Sequence, residues 1–120
     1  MSERGRELVG QLSLEPPGNF DGALVVIRLD DVSCIDAPAQ NVAALEFKLW
    51  GTKLQSLPFR LVIPPHTGAR RLSVSAEIHM DGSESLQPGD YRNAVAAPWQ
   101  AGISDSGFVI EVVRLGMASN

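Results

Sequence analysis

The sequence predicts an all-β fold, a two-sheet antiparallel β-sandwich of about seven strands. Three observations carry that expectation. Apolar residues recur at every second position in run after run, the pattern of a strand with one dry face and one wet face. Turn-forming residues separate the runs, drawn from 11 glycines and 8 prolines. The chain has 120 residues, of which 44% are hydrophobic and 20% charged. That suits one domain with its own core, read here as residues 1–120 with an ordered core from about 7 to 116.

The runs follow in chain order. Leu8, Gly10, Leu12 and Leu14 alternate with Val9, Gln11 and Ser13. Ala23, Val25, Ile27 and Leu29 alternate with Leu24, Val26, Arg28 and Asp30. Ala43, Leu45, Phe47 and Leu49 alternate with Ala44, Glu46, Lys48 and Trp50. By propensity the stretch from Val42 is also a short helix, but Gly51 and the neighbouring runs favour a strand with a sheet to join. Phe59, Leu61 and Ile63 flank Arg60 and Val62. The cleanest run is Leu72, Val74, Ala76, Ile78 and Met80, with Arg71, Ser73, Ser75, Glu77 and His79 between. Tyr91 to Ala96 is a weaker run, and Phe108 to Leu115 a stronger one.

The turns lie between them: Pro16-Pro17-Gly18-Asn19, Asp36-Ala37-Pro38, Pro64-Pro65-His66-Thr67-Gly68, Asp81-Gly82, Pro88-Gly89-Asp90, and Gly102 to Gly107. No internal repeat, heptad pattern or low-complexity tract is visible.

Charge argues against nucleic acid. The net charge is −4, and the basic residues are eight Arg and two Lys scattered along the chain. Arg70-Arg71 is the only adjacent pair, and a duplex binder needs a basic stripe to displace counterions. The longest apolar run, Ala23 to Ile27, is far short of the ~20 residues that cross a bilayer as a helix. No apolar segment follows the charged start Met1–Glu7, so no secretory signal is read. The expectation is a cytoplasmic protein, or a periplasmic or outer-membrane one whose export signal has been removed.

Chemistry-bearing patterns are sparse. Gly102-Ile103-Ser104-Asp105-Ser106-Gly107 has the wrong spacing for a nucleophile elbow, and a Gly/Ser loop leading into a strand suits a hairpin better. Phosphate-cradling glycine motifs are missing. His79 falls on the polar parity of its run and reads as a solvated side chain. His66 sits in a Pro/Gly loop beside Arg70 and Arg71, and these three make a candidate anion or small-ligand loop. Asp81-Gly82-Ser83-Glu84 lacks the calcium-loop spacing and reads as a turn. Asp36 reads as a turn cap. Cys34 is the single cysteine. It has no partner for a disulfide or a zinc knuckle and reads as a small, partly buried hydrophobe. No catalytic residue, metal site or cofactor is expected.

Trp50 is the candidate binding residue. If Leu45, Phe47 and Leu49 face the core, alternation sends Trp50 outward with Glu46 and Lys48. A bulge or an early strand end would instead fold the indole under a loop. An outward tryptophan is a strong interface anchor.

Four segments together resemble a known family. They are Leu29-Asp30-Asp31-Val32-Ser33-Cys34-Ile35-Asp36-Ala37-Pro38-Ala39, Leu57-Pro58-Phe59-Arg60-Leu61, Ser73 to Ile78, and Pro88-Gly89-Asp90-Tyr91. In this order and spacing they resemble the YbaY/YscW family of small cell-envelope lipoproteins, some of which are lipoprotein chaperones (pilotins) of type III secretion. The resemblance spans roughly Leu8 to Leu115 and implies a β-sandwich without catalytic residues. Such lipoproteins carry a lipidated cysteine near the N-terminus. Cys34 follows a strand deep in the chain and is not that anchor, so the anchor has been removed or the protein is a non-lipidated relative. The function expected is a non-catalytic binding or assembly module with a protein partner. The alternative is a small-ligand-binding protein or hydrolase using His66, Arg70 and Arg71.

Overall fold

Strand β1 (Arg6–Gly18) organises the fold, because it is long enough to serve two neighbours. A computed structural model describes residues 6–33, 38, 40–50, 54–63, 71–83, 85–93, 97–99 and 108–116. The other strands are β2 (Leu24–Asp31), β3 (Gln40–Lys48), β4 (Leu54–Ile63), β5 (Leu72–His79), β6 (Tyr91–Asn93), β7 (Ala97–Trp99) and β8 (Phe108–Arg114). No helix occurs among the described residues.

The fold is all-β, but the two-sheet sandwich is overturned. One continuous sheet runs β3-β2-β5-β6-β8-β1-β4, and β7 pairs with β5 off that path. The sheet curls until its two end strands, β3 and β4, touch. The result is a nearly closed barrel. Nor is the pairing wholly antiparallel. β1 pairs antiparallel with β4, Leu8 opposite Leu61 and Leu12 opposite Leu57, while its other edge runs parallel to β8, Leu12 opposite Ile110. A two-layer sandwich would need a break in this path, and β1 bridges the place where the break would fall. Two ladder irregularities, at Leu29/Asp30 and between Ser13 and Gly18, help the curl, since bulges add local twist.

Alternation decides the interior. Leu8, Leu12 and Leu14 of β1, Val25, Ile27 and Leu29 of β2, and Leu72, Val74, Ala76 and Ile78 of β5 are all buried. Each buried Leu, Ile or Val contributes roughly 1.5–3 kcal/mol from apolar surface withdrawn from water, and Ala76 less. β4 starts before the expected run and carries Pro58 in mid-strand. An end strand tolerates this, because a proline nitrogen facing away from the ladder costs no bond. The run from Leu72 ends at His79, since Met80 opens the turn. Of the expected Tyr91–Ala96 strand, Tyr91–Asn93 is a strand and residues 94–96 lie outside the described residues; Ala97–Trp99 forms a further short strand on β5. The Val42–Trp50 segment is a strand rather than a helix.

Candidate binding surface

Trp50 is placed by the residue before it. The Leu49 N–H donates to the Ala23 carbonyl at 2.8 Å, and the Leu49 carbonyl accepts from the Gly22 N–H at 2.7 Å. Those two bonds extend the β2–β3 ladder past the end of β3 and turn the Leu49 side chain into the core. The next side chain must then point out, and Trp50 is 73% exposed. Glu46 and Lys48 share its outward parity and are exposed as well.

The floor beneath this corner is tightly built. Gly22 and Gly82 both have positive φ, and a Cβ on Gly82 would lie 3.3 Å from the Gly22 carbonyl oxygen. The loop after β5 thus abuts the loop before β2. Asp81 caps it, accepting from the Ser83 N–H at 2.9 Å and the Ser83 hydroxyl at 2.7 Å. Those donors hold the Asp81 carboxyl below the usual carboxylate range. The expected turn at Asp81-Gly82 is present.

Arg71 lies elsewhere. Its N–H donates to Ser33 Oγ at 2.9 Å, and its carbonyl accepts from the Val32 N–H at 2.8 Å. This pins it beside the end of β2 where Asp31 faces Leu72, whereas Lys48, two residues before Trp50, faces Leu24 at the start of β2. The two candidates are separated by the length of β2, roughly 20 Å at the rise of a strand. Trp50 and Arg71 therefore do not form one site. His66 and Arg70 lie outside the described residues, as do Cys34, Asp36 and the Gly102–Gly107 loop.

His79 overturns the expectation of a solvated side chain. It is 2% exposed despite its outward parity. The chain after β5 folds back over it, held by Asp90, itself 3% exposed. Asp90 Oδ1 accepts from the Met80 N–H and Oδ2 from the Gln87 N–H, both at 2.8 Å. Gln87 to Asp90 forms a turn, with Gly89 at φ 97 and the Asp90 N–H donating to the Gln87 carbonyl. His79 Nε2 meets Glu77 Oε1 at 3.0 Å, and Nδ1 faces Asp90 Oδ2 at 3.9 Å without a hydrogen bond. A general base must reach its substrate's proton, and this imidazole is sealed from solvent. Among the described residues no cluster of three His, Cys, Asp or Glu side chains is arranged to hold a metal. No helix there is long and apolar enough to cross a membrane.

Sequence reasoning missed two features of this surface. One is the Asp90 clamp, whose signal was an acid directly after Pro88-Gly89. The other is that β3 is an end strand of the sheet, which alternation cannot reveal.

No family model matches the chain, and no curated protein matches it. A solved structure similar to it is an alternative pilotin from the type II secretion system of Vibrio cholerae. The two share a TM-score of 0.76 and 24% identity, over 94% of this chain and 99% of that one. The likeness is one of fold. The narrower resemblance to the YbaY/YscW family has no matching family model behind it, and what stands is a β-fold that a secretion pilotin also adopts.

Proposed function

We propose that this chain is a non-catalytic binding or assembly module of the secretion-chaperone kind, acting on a protein partner through the surface around Trp50. The observation that carries the reading is the exposure of Trp50 on a corner otherwise built of tight, hydrogen-bonded turns. A large indole held out by a rigid frame loses little freedom on binding, and tryptophan is enriched among residues that dominate interface energetics. The likeness in fold to a pilotin supports a protein as the partner.

The test uses the immobilised chain and its Trp50→Ala variant against an envelope extract. A secretion-system component should be retained by the first and lost from the second, with affinity reduced by roughly 2 kcal/mol or more. Retention that ignores the substitution would sink the reading.

A further inference from the structure

The free edge of β3 is complementary to itself, and we propose that two copies of this chain pair there, antiparallel, into one continuous sheet. The inference goes beyond the partner-binding reading: it rests on the backbone edge and charge pattern of β3 next to Trp50, and its test reads self-association rather than capture of another protein.

Hydrogen-bond parity comes first. The Leu49 N–H and carbonyl both point toward the β2 side. In an antiparallel ladder that direction alternates along the strand, so Leu45 and Phe47 also bond toward β2. The N–H and carbonyl groups of Ala44, Glu46 and Lys48 therefore point to the open edge. β3 touches β4 but shares no ladder with it among the described residues. The two end strands are not equivalent. β4 has Pro58 in its middle, a common device for blunting an edge. β3 has no proline along Gln40–Lys48.

Side chains then select the register. Leu45-Glu46-Phe47-Lys48-Leu49 reads apolar, acidic, apolar, basic, apolar. Placed antiparallel with Phe47 opposite the partner's Phe47, Glu46 meets the partner's Lys48, and Lys48 meets the partner's Glu46. The same register sets the large Trp50 opposite the partner's small Ala44, so no bulky pair collides. It also places Leu45 opposite the partner's Leu49 on the inner face. The parity agrees, since Glu46 and Lys48 would form the hydrogen-bonded pairs. An isologous interface needs this kind of reciprocal match. Neither Glu46 nor Lys48 has an ion pair among the described residues; Lys48 Nζ lies 3.9 Å from where a Cβ on Gly82 would stand, and its flexible stem must swing to the open edge to meet the partner's Glu46. Leu45 and Phe47 are half-buried where their counterparts on β2 and β5 are fully buried, and the partner's Leu49 and Phe47 would pack beside them.

Sedimentation velocity over a dilution series, on the whole chain at low salt, tests the proposal. The wild type should show a reversible monomer–dimer equilibrium. Glu46→Lys and Lys48→Glu each set like charges opposite one another twice, and each should raise the dimer Kd about tenfold or more. The double variant Glu46→Lys/Lys48→Glu rebuilds both pairs in reverse and should return to near the wild-type Kd. Its circular dichroism also checks that both sites accept the changes. A wild type that stays monomeric throughout overturns the proposal. So does a dimer indifferent to the single changes, or a double variant as weak as the singles.

Discussion

The Tyr91 hydroxyl donates to the Pro16 carbonyl at 2.6 Å, tying the start of β6 to the end of β1. These residues are remote in sequence, and the strands are separated in the sheet by β8. The bond therefore spans one strand of the sheet and anchors the segment that leads into β2. The ring is buried and meets Phe20 at a centroid distance of 5.0 Å and 59° between planes, a tilted contact that aromatic rings favour. Gly18 lies against the same hydroxyl. Tyr91→Phe keeps the packing and leaves a carbonyl short of a donor. It should cost about 1 kcal/mol in urea unfolding; an unchanged midpoint would mean that water replaces the hydroxyl.

Burial raises the Tyr91 phenol above its ordinary pKa. The unfolded chain then releases this proton first. Stability is unaffected below about pH 10 and falls as the pH climbs from there through the folded-state value. Tyr91 is the only tyrosine, so absorbance at the phenolate band reads it directly. Its titration should shift to lower pH on unfolding, and Tyr91→Phe should flatten the alkaline decline in stability.

Asp90 closes the loop over His79 by accepting two backbone N–H groups. Asp90→Asn turns one acceptor into a donor facing a donor. A loss of about 2 kcal/mol is expected, since hydrogen bonds to a charged, buried acceptor are worth more than neutral ones. Asp90→Ala should cost more and expose His79 to solvent. Faster exchange of the Met80 and Gln87 amides would report the opened loop.

Gly82 sits at φ +78 with the Gly22 carbonyl 3.3 Å from where a Cβ would stand. Gly82→Ala combines an unfavourable backbone conformation with a close contact to a second loop. The expected cost is about 1–2 kcal/mol. A stabilised variant would show that this corner relaxes freely.

Trp50→Ala removes a side chain that the core does not use. Thermal unfolding should move by no more than about 0.5 kcal/mol equivalent. A large loss would place the indole in the fold rather than on the binding surface.

The all-β class and the inward set on β1, β2 and β5 were legible in the residues themselves, whereas for Trp50 alternation offered an outward side chain beside the alternative of an indole folded under a loop, and the structure decided for the first. The class and the inward set follow from alternation, a local property, because successive side chains in a strand must point to opposite faces. The turn at Asp81-Gly82 was legible for a similar reason, since few residue types accept its backbone angles. Which strands are neighbours was not legible. The parallel pairing of β1 with β8, which merges two expected sheets into one, joins segments from opposite ends of the chain, and nothing in either segment names the other. His79 shows the limit most directly. Its parity put it outside, and it is outside the barrel, but the Asp90 loop then covers it. The open edge of β3 was hidden for the same reason. Alternation assigns faces, whereas edges, coverage and neighbours depend on contacts between distant parts of the chain, and those only the tertiary structure decides.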